Sequence, residues 1–167
     1  MIERACRGYE MVIKNSHEEV SRAIYEFINF CNEQSIALST IYKLRLAMEE
    51  ILVNAINYSF LDKNLHDIHI KITYDAERVC IEFLDDGIEF NPLTAPEPKD
   101  IPLDERIPGG IGIYLVKTMM DTFEYKRSNE KNILTISKKN NITKEVHNGN
   151  VSTYSKRCFY HFSKGKS

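Results

Sequence analysis

The apolar residues change period several times along the chain, and each change marks an element. Tyr9 to Lys14 (YEMVIK) reads as a short strand. Ser16 then offers a helix N-cap with Glu19 three residues on, the pattern of a capping box. Behind it Val20, Ile24, Phe27, Ile28 and Cys31 form one helical stripe that ends near Asn32. A second helix, capped by Ser39 or Thr40 and fraying near Ser59, repeats Leu44, Met48, Ile51, Ala55 and Tyr58 at spacings of three and four. From Ile68 to Tyr74 apolar and polar residues alternate as in a half-buried strand. After a turn at Asp75 to Arg78, Val79 to Leu84 returns as its hairpin partner and ends at Asp85-Asp86-Gly87. Ile111 to Asp121 reads as a third helix, with Ile111, Leu115 and Met119 on one side. Thr122 to Lys126 and Ile133 to Lys138 read as two last strands, joined by a Ser-Asn-Glu-Lys-Asn turn.

About five strands and three helices have to share one core. Helices laid on one face of a mixed, mostly antiparallel sheet satisfy that count, so the expected fold is α+β, a two-layer α/β sandwich. The chain of 167 residues is a one-domain length, and 43% hydrophobic content is enough for a real core. From Asn91 to Ile107 no period appears, and all five prolines lie between Pro92 and Pro108. A loop of that length inside a domain is usually functional or disordered.

Charge and cysteine usage exclude more than they suggest. A net charge of −2 makes no case for nucleic acid. Lys144, Lys156, Arg157, Lys164 and Lys166 make the end of the chain basic, so residues 1–139 are read as the domain and 140–167 as a flexible basic tail. No apolar run approaches a membrane span and no signal peptide opens the chain, so the cytoplasm is expected. Cys6, Cys31, Cys80 and Cys158 are scattered without zinc-ligand spacing.

Candidate chemistry starts in the second helix. Glu50, Asn54 and Asn57 stand at i, i+4 and i+7, which stacks a carboxylate and two amides on one face. Asn is a poor helix former, so two of them need a reason. A solvated face is one reason. A site joining an oxygen ligand for a hard cation to a carboxylate that takes a proton is another. Two later segments bear on the choice: Phe83-Leu84-Asp85-Asp86-Gly87-Ile88-Glu89-Phe90, and Pro108-Gly109-Gly110-Ile111-Gly112-Ile113.

A helix with E-x-x-x-N, a strand ending in D-x-G-x-x-F, a loop, and G-G-x-G-I opening a helix occur here in that order. The series resembles the N, G1 and G2 boxes of the histidine-kinase-like ATPase superfamily, and within it the anti-sigma-factor serine kinases of bacteria, over roughly residues 9–139. The resemblance implies ATP and Mg²⁺ as cofactors. Asn54 would hold Mg²⁺ and Glu50 would be the catalytic base on an acceptor hydroxyl, with Asn57 beside them. Asp86 would accept from the exocyclic amine of adenine as a buried carboxylate, Gly87 would let the backbone approach the base, and Ile88 and Phe90 would wall it. Gly109, Gly110, Ile111 and Gly112 would offer a phosphate bare N–H groups at a helix N-terminus. The loop between would be an ATP lid, from which Arg106 pairs with the β- or γ-phosphate.

The function so implied is a kinase that binds a sigma factor or similar client and phosphorylates a serine on an anti-sigma antagonist domain, regulating transcription. Such kinases are commonly homodimers. A non-catalytic, ATP-dependent interaction module is the alternative. Tyr58 departs from the pattern, since His is frequent at that position in the serine kinases. Asn15-Ser16-His17-Glu18-Glu19 looks like a sensor-kinase phosphoacceptor box, but Val20-Ser21-Arg22-Ala23 does not continue it, and a strand precedes it where a dimerisation helix is needed.

Overall fold

The computed structural model describes residues 6–94 and 110–140. Alternation in the strands fixes the layering. In β2 (Asp67–Tyr74) Ile68, Ile70 and Ile72 point inward, and in β3 (Arg78–Asp85) Val79, Ile81, Phe83 and Asp85 do so. β1 (Arg7–Lys14) adds Met11 and Ile13, and β5 (Lys131–Lys139) adds Asn132 and Ile136. With β4 (Thr122–Ser128) the strands form one five-stranded sheet in the order β1-β2-β3-β5-β4, and every pairing in it is antiparallel. One face of the sheet therefore carries the core.

Helices α1 (His17–Glu33), α2 (Leu38–Tyr58) and α3 (Gly110–Met119) supply the other half of that core. Phe27 of α1, and Leu44, Met48 and Leu52 of α2, are fully buried against the sheet's isoleucines, each contributing about 1.5–3 kcal/mol of apolar burial. This is the expected two-layer sandwich, with α2 at its centre. Among the described residues no helix is long and apolar enough to cross a membrane.

Several local expectations give way to longer-range contacts. Ser16 is the N-cap of α1 in extended conformation, but its side chain closes no capping box. Glu19 instead binds Arg22 at 2.6 Å, a charge-assisted bond stronger than a neutral cap. Neither Ser39 nor Thr40 caps α2; the N-cap is Ala37, whose N–H donates to Asn140 Oδ1 at 2.8 Å. Thr40 is buried one turn in and donates to the Lys139 carbonyl. Asn140, expected to begin the tail, is thus tied to the domain; residues 141–167 lie outside the described residues.

The inward face of α3 also differs from expectation. Ile113 and Val116 are buried, as is Met120 just past the helix, and Met119 packs half-buried against the core as expected, whereas Ile111 and Leu115 are exposed, because Gly112 turns toward α2. The β4–β5 hairpin turns on two residues, Asn129 and Glu130, both at positive φ, rather than on five. Of the expected aperiodic stretch, residues 91–94 are described, and Pro92–Thr94 there form a 3₁₀ turn held by Asn91 Oδ1 accepting from the Leu93 N–H.

Candidate functional site

The site is laid out along α2. Its inward stripe of Leu44, Met48, Ile51 and Leu52 anchors the helix, which leaves Glu50 and Asn54 half-buried on the side toward α3 and the end of β3. Asn54 Nδ2 donates to the Glu50 carbonyl at 2.6 Å. A carbonyl can only accept, so this bond fixes the amide nitrogen on the helix and turns Oδ1 away from it. Glu49, a quarter turn round, is paired with Arg45 at 3.0 Å and takes no part. Asn57 is exposed. Tyr58, in phase with the buried stripe, is nonetheless 47% exposed, while Ala55 and Ile56 of the same turn pack against the core.

Two glycines bring the other segments onto α2. A Cβ on Gly112 would collide with the Glu50 carboxylate, lying only 2.8 Å from its Cδ. The first turn of α3 therefore passes the Glu50 side chain closely, and only a missing side chain permits it. At the far end of α2, a Cβ on Gly87 would fall 2.5 Å from Ser59 Cβ and 2.7 Å from the Ser59 carbonyl. The Ile88 N–H donates to that same carbonyl at 2.8 Å. Gly87, expected to let the backbone approach a base, also lets the turn approach the end of α2. At 1.5 Å of rise per residue, Glu50 and Ser59 stand about 13 Å apart along the axis, with Asn54 between them.

The turn holds two adjacent carboxylates with opposite fates. Asp85 continues the inward stripe of Val79, Ile81 and Phe83 and is 8% exposed. Its Oδ1 accepts from the Gly87 N–H at 2.9 Å and from Asn132 Nδ2 at 2.8 Å. Asp86, one residue on, points the other way. Its side chain is 53% exposed and bonds His66 Nδ1 at 3.0 Å. The expectation that Asp86 is the buried carboxylate is therefore corrected: period-two alternation puts Asp85 inside and Asp86 outside.

Asn132 was read only as a turn residue. It lies opposite Asp85 in the β3–β5 register and ties the turn to β4. Its Nδ2 also donates to the Ile88 carbonyl, and its Oδ1 accepts from Tyr125 and Arg127, each at 2.8 Å. Arg127 Nη1 reaches on to the Gly87 carbonyl at 2.8 Å. Burial, and the nearby negative charge of Glu89, push the Tyr125 hydroxyl up from its ordinary range, so it stays a donor at neutral pH. The alternation of Tyr125 and Arg127 with exposed Glu124 and Lys126 was the available sign that both face inward.

Ile88 and Phe90 are exposed apolar side chains just past the turn, and Ile111 is exposed at the start of α3. Gly110 is the first residue of α3. Gly109 and Arg106, like the rest of the expected lid after Thr94, lie outside the described residues. No group of three or more His, Cys, Asp and Glu side chains among the described residues is arranged to hold a metal ion.

Known proteins are similar to this chain. The chain is 24% identical to the serine-protein kinase RsbW of Oceanobacillus iheyensis over 142 residues, 82% of this chain and 89% of that protein. It is 26% identical to RsbW of Staphylococcus aureus over 143 residues, 81% of this chain and 87% of that one. To the serine/threonine-protein kinase BtrW of Bordetella bronchiseptica it is 28% identical over 97 residues, 58% of this chain and 68% of the other. A crystal structure of the RsbU and RsbW domains of a Mycobacterium tuberculosis protein matches with a TM-score of 0.56 at 11% identity, over 78% of this chain and 32% of that one, a likeness of fold. A family model, that of the histidine kinase-like ATPase domain, matches residues 13–138. The chain belongs to the histidine kinase-like ATPase domain family.

Proposed function

We propose that this protein is a protein serine kinase of the anti-sigma-factor type, holding ATP along α2 and phosphorylating a serine of a partner protein. The observation that carries the reading is the pair of glycine contacts on one helix. Gly112 brings the first turn of α3 to Glu50, and Gly87 brings the turn after β3 to Ser59, about 13 Å away by helical rise. Base-facing and phosphate-facing groups thus stand on one ruler, with Asn54 between them.

The residues divide the work. Asp85 is buried with Oδ1 engaged, and Oδ2 accepts the exocyclic amine of adenine. The first turn of α3 presents backbone N–H groups and positive dipole to the phosphates. Asn54 fits Mg²⁺, because its nitrogen is spent on the Glu50 carbonyl and its oxygen is turned outward. Mg²⁺, when bound, supplies charge neutralisation to the phosphate oxygens. Glu50, half-buried beside α3, takes the proton from the seryl hydroxyl as that oxygen bonds the γ-phosphorus; ADP leaves with the bond electrons, and Glu50 later returns the proton to water.

The similarity to proteins named serine-protein kinase supports serine as the acceptor; a kinase of the anti-sigma-factor type would take an antagonist domain as substrate and a sigma factor as client. The test is Glu50→Gln, assayed with Mg·ATP and a serine-bearing antagonist domain. Phosphotransfer should fall by about 10²–10⁴-fold while ATP affinity changes little. Equal loss of both would deny Glu50 the role of base. ATP binding by the unaltered protein, without phosphoprotein from any antagonist domain, would favour an ATP-dependent interaction module instead.

A further inference from the structure

His66 joins the connection between α2 and β2 to the turn after β3. Its backbone is clamped to the connection between β1 and α1. The His66 N–H donates to Asn15 Oδ1 at 2.9 Å, the Asn15 N–H donates to the His66 carbonyl at 3.1 Å, and Asn15 Nδ2 donates to the Asn64 carbonyl at 3.2 Å. The ring stacks on Phe60, with centroids 4.6 Å apart. So anchored, the imidazole puts Nε2 2.8 Å from Asp62 Oδ1 and Nδ1 3.0 Å from Asp86 Oδ1. Asp86 belongs to the turn, and the Ile88 N–H two residues on is bonded to the Ser59 carbonyl.

Both ring nitrogens thus face carboxylate oxygens, which accept and do not donate. Two such bonds need a hydrogen on each nitrogen, and imidazolium alone has both. Neutral imidazole keeps one. Asp62 is the closer partner, and it is fixed within its own loop by the Asn64 N–H at 3.0 Å and Asn64 Nδ2 at 2.7 Å. The remaining hydrogen therefore stays toward Asp62, and a bare lone pair is left facing Asp86. The other charged and titratable groups around the ring are Asp67, bonded by Lys14 at 2.6 Å, and His69 and Lys131, which border the same cavity. Asp62 foremost, then Asp86, raises the imidazole above its ordinary range. The charged form therefore prevails at pH 6 and gives way as pH rises through the raised value.

We propose that His66 is a proton-operated latch on the turn after β3: charged, it ties Asp86 to the connection between α2 and β2, and neutral, it lets the turn go, so that protons regulate the site this turn helps to form. The effect on nucleotide affinity rests on the nucleotide reading above; the latch itself does not.

Hydrogen exchange of the Ile88 amide in the full, nucleotide-free chain tests the latch. Corrected for the intrinsic rate at each pH, its protection should fall several-fold from pH 6 to pH 8, while that of Ile81, in the middle of β3, does not. Asp86→Asn offers a donor as well as an acceptor, so it can bond either form of the ring, and its Ile88 protection should not change with pH. His66→Gln, which does not titrate, should give the same flat result. Protection independent of pH in the unaltered protein, or an equal fall in Asp86→Asn, would overturn the proposal.

Calorimetric titration with Mg·ATP tests the regulation. The unaltered protein should bind a few-fold more tightly at pH 6 than at pH 8. At pH 7, binding heats compared between buffers of different ionisation enthalpy should show proton uptake that Asp86→Asn lacks, because proton and nucleotide must strengthen each other by the same factor. Equal affinity at both pH values would overturn the regulatory role, whatever the exchange shows. If the unaltered protein binds no ATP, the nucleotide reading falls, and the exchange result still decides the latch.

Discussion

Gly112 lacks a side chain where α3 passes the carboxylate of Glu50. It sits inside a helix, so alanine there improves the backbone's intrinsic preference by up to about 1 kcal/mol. The new methyl meets only the end of a flexible side chain, which can swing away. Gly112→Ala should therefore leave the melting temperature unchanged or slightly raised, keep most ATP binding, and lose phosphotransfer because the Glu50 carboxylate has been pushed off its place. Thermal melts and a phosphorylation assay on one preparation check this; a variant that unfolds, or one with full activity, would refute it. The placement of Glu50 and Asn54 on one face of α2 was legible in the sequence because E-x-x-x-N on a helix carries its own geometry. The buried carboxylate of the turn was read as Asp86, although Val79, Ile81 and Phe83 already set the parity that sends Asp85 inward. Asn132 could not be found that way, since its contact with Asp85 comes from a cross-strand register between residues 47 positions apart in the chain.

The elements themselves were readable because long amphipathic periods survive most tertiary effects, but their ends depended on contacts from far along the chain. The start of α2 is the clearest case. Asn140 Oδ1 accepts from the Ala37 N–H at 2.8 Å, and its Nδ2 donates to the Tyr74 hydroxyl at 2.9 Å, so one residue after β5 caps the site helix and ties it to β2. Asn140→Ala should cost about 1 kcal/mol, read as a melting point a few degrees lower. No change would mean that the cap adds nothing to α2. The β4–β5 turn makes the opposite prediction. Glu130 sits at φ 60 next to Asn129 at φ 50, a pair of positive values that favours Asn-Gly. Glu130→Gly should stabilise the protein by about 0.5–1 kcal/mol in a denaturant titration; destabilisation would contradict the turn assignment.

Across the whole molecule, the sheet separates two chemistries by face. The inner face ends in Asp85 and Asn132, under the helices. The outer face ends in Asp86, next to a cavity of about 260 Å³ lined also by His66, His69, Asp67 and Lys131. His66 stands between Asp62 at 2.8 Å and Asp86 at 3.0 Å, with its ring stacked on Phe60 at 4.6 Å. Asp62 foremost, then Asp86, raises the imidazole above its ordinary 6.5. A raised folded value means that protonated His66 stabilises the fold fully below pH 6.5, and that the contribution is lost as pH rises through the raised value. His66 also holds Asp62 below its ordinary 3.8, a contribution lost only when pH falls through that lower folded value. The melting temperature of the unaltered protein should therefore exceed that of His66→Gln most near pH 5–6, with the gap closing by pH 8. A gap independent of pH would mean that His66 acts through stacking alone.

On the proposed function, α2, the turn after β3 and the start of α3 grip one adenine nucleotide, and Asp85 is the carboxylate that reads its base. Calorimetric titration of Mg·ATP into the unaltered chain, Asp85→Asn and Asp86→Asn tests it most directly. Saturable binding by the unaltered protein is predicted, retained within a few-fold in Asp86→Asn and weakened about 10- to 100-fold in Asp85→Asn, the worth of a charged hydrogen bond. Loss confined to Asp86→Asn, or no binding by the unaltered protein, would contradict the account.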